Sequence, residues 1–403
     1  MIISNLNQIT KFKTLFPIDS NGREIYVCKI TNTQFYEDKI FYPNVLIFNS
    51  EKIIQPINET ILSLKDISLK NTKKELSPIS KIDGNPYFFF IYNTDNYYHF
   101  VYDTLPYLIT FFELKKEIPN LKLLMNYPNY QKFEHYKFVI EFLQILSINK
   151  DDITIVNPSI VYDNIYVSNS YTHDGKSNIK PRNEVYEFYN TIVNSITNDN
   201  KKEKLPTKIY ISRRTWINKD TSNIGTNYTT KRRLLNEDEI VEYLKTKGFV
   251  EVFTENLSTH EKIILFNNAE HIIGPIGGGL CNALFSNKKT KLTILNSPTF
   301  FDVNYRFLYS FENVNYKILD ISEHTENGKI KKFMRVKFDN KVGEVVDIDD
   351  DYLTISYSDM DVAGWNNQIK FKQIIKNIME VTPLDNGLNS EWIIDIKKLK
   401  EII

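Results

Sequence analysis

Cysteine is almost missing from this chain, with Cys28 and Cys281 the two examples in 403 residues. Two thiols cannot build a disulfide framework, which fits a reduced intracellular compartment. Long apolar runs are missing as well. The densest, Tyr87 to Tyr92 and Phe138 to Leu146, are far shorter than the roughly 20 residues that cross a bilayer, and Glu141 and Gln144 interrupt the second. The opening MIISNLNQITKFKTLFPIDS has neither a continuous apolar stretch nor a small-residue cleavage site, so no signal peptide is expected. Charge of one sign is not in excess: 50 Lys+Arg balance 50 Asp+Glu, which removes the global positive field that a nucleic-acid backbone would need. Glycine and proline, at 13 and 14, are too few for a collagen-like chain. What is present, 42% hydrophobic and 25% charged residues, is the composition of a folded globular protein with room for two domains and a smaller piece.

Along the chain, short β-type stretches (Glu24 to Thr31, Lys39 to Phe48) give way at Tyr87 to an alternation of strands and helices. Strands are expected at 87–92, 122–125, 153–156 and 164–167, with helices over 97–114, 133–146 and 182–196 and a bend at Pro106. TNDNKKEKLP, 197–206, has the polarity of a linker. Beyond it, strands at 208–212, 249–253, 271–273 and 292–295 alternate with helices opened by Asn236/Glu239 and Ser258/Glu261 capping pairs, and Gly248 is a natural helix terminator. Such repeats imply a parallel sheet covered on both faces. After about residue 325, short alternating strands (333–338, 343–348, 353–357) suggest a small β-region, and 392–403 an amphipathic helix.

Three groups of residues carry possible chemistry. GPIGGGLCN, Gly274 to Asn282, places three glycines between a strand and a helix. The amides of Gly277, Gly278 and Gly279 can approach an anion such as a phosphate, or the segment is simply a tight turn. Arg213, Arg214, Arg232 and Arg233 lie in a strand-end loop, where guanidinium forks can grip a diphosphate or merely be solvated. His99 and Asp103, four apart, would share a helix face, either as an oriented imidazole base or as a surface pair. The three Asp-x-Asp triplets, at 347–349, 349–351 and 359–361, read as solvated acidic turns, and no His/Cys set has zinc spacing, so no metal is assigned.

In order and wording these segments resemble glycosyltransferase family 61: Asn96-x-x-His99-x-x-x-Asp103 with Leu105-Pro106, YISRR at 210–214, RRLLNEDEIVEYLKTKGF at 232–249, and NNAEHIIGPIGGGLCNALF at 267–285. The resemblance implies an α/β fold of GT-B type, two Rossmann-like domains facing a cleft, here 1–200 and 205–324, with 325–403 as a small β-rich region outside the shared motifs. It implies inverting transfer from a nucleotide-sugar, UDP-linked, to a hydroxyl of a glycan or polysaccharide. His99 would be the base, oriented by Asp103, or Asp103 the base itself. Arg213, Arg214, Arg233, Gly277, Gly278, Gly279 and Asn282 would hold the donor diphosphate. Asn236 and Glu237 would contact sugar or ribose hydroxyls, or only cap their helix. No cofactor or divalent cation is expected, nor a nucleic-acid partner. The expected location is the cytoplasm, with peripheral contact at the inner membrane surface left open. One departure stands out: Ile276 occupies the place of the family's His in Gly-Pro-His-Gly-Ala-Gly-Leu-Thr-Asn, with Gly278 for Ala and Cys281 for Thr. A nucleotide-sugar or glycan-binding protein without catalysis is the alternative that this departure raises.

Overall fold

The structure, a computed structural model, describes residues 9–31, 33–34, 47–49, 52–54, 61–63, 78–91, 94–127, 134–172, 180–197, 205–214, 233–297, 305–324, 335–339, 341–357, 372–383 and 391–403. It opens with β1 (Ile9–Phe16), β2 (Ile25–Ile30) and β3 (Thr33–Gln34), then a three-stranded set, β4 (Ile47–Asn49), β5 (Lys52–Ile54) and β6 (Ile61–Ser63). Next come β7 (Lys81–Phe89), a π-helical turn His99–Thr104, α1 (Tyr107–Glu117), β8 (Lys122–Met125), α2 (Lys137–Ile145), β9 (Ile153–Ile155), β10 (Ile160–Ser168) and α3 (Asn183–Thr197). The first sheet has the order β1-β2-β10-β7-β8-β9, parallel from β10 to β9 and antiparallel at β1 and β2. Val185, Tyr189, Ile192, Val193 and Ile196 repeat at helical spacing, which is why α3 buries one stripe.

The second sheet is built from β11 (Lys208–Ile211), α4 (Glu237–Thr246), β12 (Val250–Val252), α5 (Thr259–Asn268), β13 (His271–Pro275), a 3-10 turn Gly278–Phe285, β14 (Lys291–Leu295) and β15 (Asn315–Leu319). All five strands are parallel, in the order β12-β11-β13-β14-β15. Alternation along these strands divides two cores. Ile209, Ile211, Ile272, Leu292 and Ile294 face the core shared with the first sheet. Tyr210, Ile273, Leu295 and Leu319 face α4 and the C-terminal segment. Gly248 ends α4 with φ +81°, and Ser258 with Glu261 forms the expected reciprocal cap of α5.

The two sheets are joined by more than chain connectivity. Phe285 stacks on Phe142 of α2 at 5.9 Å and meets Tyr189 of α3 edge-on at 5.6 Å. Glu141 of α2 accepts the Thr259 amide at 2.8 Å and so caps α5 from the other half. Burying a ring such as Phe285 contributes about 2 kcal/mol, so this joint is a core and not a surface contact.

Downstream lie β16 (Ser322–His324), β17 (Arg335–Phe338), β18 (Lys341–Asp349), β19 (Tyr352–Tyr357), β20 (Lys372–Asn377), β21 (Thr382–Pro383), β22 (Trp392–Ile394) and α6 (Ile396–Ile402). β17 to β21 make an antiparallel sheet around Val336, Phe338, Val345, Leu353 and Ile355. Three expectations are corrected. The segment 392–403 is not one helix: backbone bonds between Trp392 and Arg233/Leu235 hold its start extended, and Asp395 caps α6 after it. Asn236 does not cap α4, because its amide is spent on Ile394. The glycine turn leads into a 3-10 and not an α-helix. The linker residues 198–204, Arg232, the Asp359–Asp361 triplet and most of the 39–48 strand lie outside the described residues.

Candidate active site

In the first sheet, β7, β8 and β9 follow one another to one side, and β10 returns to the other side of β7. Open α/β sheets bind ligands at the carboxyl ends of strands where the order reverses in this way. His99 and Asp103 follow the end of β7 and Thr172 follows the end of β10. The His99 Nδ1 atom is 2.6 Å from Asp103 Oδ2, and Thr172 donates its hydroxyl to Asp103 Oδ1 at 3.3 Å. Asp103 is buried while the His99 side chain keeps 21% of its surface exposed, so the carboxylate orients and the imidazole reaches outward. The turn that carries them is wide: the Leu105 amide bonds the Phe100 carbonyl, five residues back, ahead of Pro106, which has no N–H to continue the helix. Burial pushes the nearby Asp95 carboxyl above its usual range, offset in part by His99.

The second sheet reverses between β11 and β13, and this is where Arg213 and the glycine turn emerge. Glu237, 1% exposed, accepts the Arg213 amide at 2.7 Å, the Tyr210 hydroxyl at 3.0 Å and the Ser212 hydroxyl at 3.2 Å, all on Oε1. Burial raises the Glu237 carboxyl above the ordinary range. Loss of hydration lowers Arg213 from the ordinary arginine range, opposed by the Glu237 charge. Arg213 Nη1 lies 3.5 Å from the Ile276 carbonyl, and its guanidinium occupies the space a side chain at 277 would need. A side chain at 277 would thus displace the Arg213 guanidinium, whereas the φ of 169° is extended backbone that any residue adopts.

The two strand-end sites meet. A Cβ on Gly278 would lie 3.7 Å from that of Tyr98, the residue before His99. Tyr98 stacks on Phe307 at 4.3 Å and on Tyr102 at 5.7 Å, which pins the π-turn against the second half. Tyr97 donates to Asn282 Oδ1 at 2.5 Å, while Asn282 Nδ2 donates to the Gly279 carbonyl at 2.9 Å. Lys262 of α5 sits 4.4 Å from the Tyr97 ring centre, and burial lowers its amine to about 8.

His99, Asp103, Arg213 and Gly277 to Gly279 are thus brought together, and the other expected residues are engaged elsewhere. Arg214 makes a two-oxygen pair with Glu251 and a further pair with Asp238. Arg233 is half-exposed, 3.9 Å from Glu391. Asn236 is held by Ile394, and both ends of the Asn282 amide are used within the protein. Glu237 organises Arg213 from inside the fold. Ile276 is fully buried in the shared core, and burial pushes the Cys281 thiol far up. Thr172 and Phe307 carried no sequence signal, since each acts through a partner distant in the chain. Among the described residues no group of three or more His, Cys, Asp or Glu side chains is placed to hold a metal ion, and no helix is long and apolar enough to cross a membrane.

A mixed sheet and a fully parallel one, with a His–Asp pair and an arginine-backed glycine turn at their switch points, make up a mixed α/β fold. The family model described as Glycosyltransferase 61 matches residues 97–293, a span holding all of these groups except Phe307, and this match indicates a glycosyltransferase. Among curated proteins, none matches the chain.

Proposed function

We propose that the chain transfers a sugar, with inversion, from a UDP-linked donor to a hydroxyl of a glycan acceptor, using its two sheets as the facing halves of a GT-B arrangement. The observation that carries this reading is the approach of Tyr98, the residue before His99, to the Arg213-backed glycine turn. With Asp103 accepting from Nδ1–H, the lone pair of His99 stands on Nε2, which takes the acceptor proton as its oxygen attacks the anomeric carbon. The bond from that carbon to the diphosphate oxygen breaks, and the leaving charge falls on Arg213 and the glycine amides. Asp103, buried and accepting on both oxygens, suits orientation better than proton transfer. In this reading the guanidinium does the neutralising that a divalent cation does in other transferases.

Calorimetric titration with UDP, GDP, CMP and their sugar conjugates tests it on wild type, Arg213→Ala and His99→Ala. One nucleotide class should bind, Arg213→Ala should weaken it about tenfold or more, and His99→Ala should bind donor normally without transfer. Transfer retained by His99→Ala removes it as base, and silence from every nucleotide removes the donor assignment.

A further inference from the structure

A second concave site lies where α3 meets the segment leading into β15. It is a groove of about 670 Å³, lined on one side by Asn183, Tyr186, Glu187 and Asn190 and sharing no lining residue with the strand-end site. That volume is within the roughly 300–1,000 Å³ of ligand pockets. The four α3 residues stand at i, i+3, i+4 and i+7, so they form one continuous stripe beside the apolar face that α3 buries, with half-buried Tyr186 at its inner edge. The far wall is Glu312 to Asn315, from the second half of the molecule.

The chemistry of the lining restricts what it can take. The side-chain amides of Asn21, Asn183, Asn190 and Asn315 make no hydrogen bond within the described protein, and neither does the Glu187 carboxylate. Each free amide offers donors and an acceptor together, the complement of a hydroxyl group, which is also both. Tyr186 spends its own hydroxyl on the Tyr309 carbonyl at 2.9 Å, so its ring is what remains for a ligand. Charges cancel among the described lining residues, Lys180 and Lys288 against Glu187 and Glu312, and Lys180 is already paired with Glu312 at 2.9 Å. A phosphate or an acidic ligand therefore gains nothing here. Pro181 and Val314 are the apolar members of the lining, too little surface for a lipid chain.

We infer that this groove is a carbohydrate-binding surface that holds a neutral stretch of the acceptor glycan away from the reacting centre. The inference rests on the transferase reading above for the identity of the glycan as acceptor, and on the groove alone for its being a glycan.

The test is calorimetric titration of the full chain, without nucleotide, with hexamers of β-1,4-glucose, α-1,4-glucose, β-1,4-xylose and β-1,4-N-acetylglucosamine. The same titrations follow on an Asn183→Ala/Asn190→Ala double variant and on Glu187→Ala, both surface changes whose folding is checked by melting. At least one hexamer should bind wild type, and both variants should weaken it by about tenfold or more. Equal binding by the variants, or no binding of any hexamer at millimolar concentration, overturns the inference. Nucleotide titration of the same samples tells the failures apart. Donor binding with a silent groove removes the carbohydrate surface alone, whereas silence toward nucleotides removes the transferase reading.

Discussion

The guanidinium of Arg213 lies against the backbone of Gly277, its Cζ 3.3 Å from where a Cβ on residue 277 would sit and its Nη1 closer still. An arginine seated on a glycine presents its charge and the neighbouring amides to one side together, an arrangement that depends on a hydrogen atom where other residues carry carbon.

Replacing Gly277 by Ala should therefore displace Arg213 and weaken nucleotide-diphosphate binding by about tenfold or more, equivalent to roughly 1.4 kcal/mol. Gly278→Ala is the control, since its new methyl would meet Tyr98 Cβ at an ordinary 3.7 Å. Calorimetry should find the second variant close to wild type, and equal losses in both would mean that the turn does not depend on the Arg213 contact.

Glu237 holds three donors on one oxygen at a site 1% exposed. Glu237→Ala orphans all three and removes the carboxylate whose charge weighs most on Arg213, so urea unfolding should show a loss of about 3 kcal/mol or more. Glu237→Gln keeps an acceptor oxygen and should recover much of that loss. An unchanged unfolding midpoint in the Ala variant would rule out this structural role.

Asp103→Asn tests orientation. An amide in place of the carboxylate can present N–H toward Nδ1 and so favour the wrong imidazole tautomer. Turnover should fall by about 10² to 10⁴, the usual range for losing acid–base catalysis, with KM for the acceptor little changed. A rise in KM at constant kcat would instead assign the pair to substrate binding.

Lys262 gives a pH signature at the joint between the halves. Its amine titrates at about 8 when folded, because burial outweighs the pull of Glu141, Cys281 and Glu255, against 10.5 in the ordinary lysine range. Between these values the unfolded chain binds the extra proton, so stability rises with pH. The Cys28 and Cys281 thiols, which burial pushes up, act in the opposite sense above about pH 9. From pH 8 to 9, wild type should therefore gain on the order of 1 kcal/mol relative to Lys262→Met. A constant difference between the two proteins across that window would show that Lys262 titrates normally.

How much of this was legible depended on distance along the chain. Lys122–Met125 is a strand wherever its apolar run is buried, and Ser258 with Glu261 closes a cap three residues wide, so both could be read directly. Asn236 with Glu239 has equivalent local wording, yet Ile394, 158 positions on, takes the Asn236 side chain. Arg213 and Arg214 are neighbours in sequence with different surroundings, because Glu251 and Asp238 pair with the second while the guanidinium of the first lies on the glycine turn. The His99–Asp103 spacing fits an ordinary surface pair as well as the buried, Thr172-assisted one that forms.

The C-terminal residues invite a truncation. Trp392, Ile394 and Leu399 are each no more than 2% exposed and complete the outer core of the second sheet, whereas β17 to β21 surround a core of their own. Removing residues 392–403 should leave the protein aggregated or sharply lower in melting temperature, by the cost of uncovering Leu234, Leu295 and Leu319. Excising 335–383 should be far milder. The reverse order in a thermal-melt comparison would contradict this division of the cores.

That same closure has a consequence for how the molecule is made. Strands β11 to β15 leave the ribosome early, but the strand that lies beside Leu234 arrives last, after the whole β17–β21 sheet has been synthesised. At the roughly 5–20 residues per second of translation, the part of the second sheet's outer face that α4 does not cover waits seconds for Trp392, Ile394 and Leu399. The half that carries Arg213 and the glycine turn can therefore complete its outer core only once Trp392 has been synthesised.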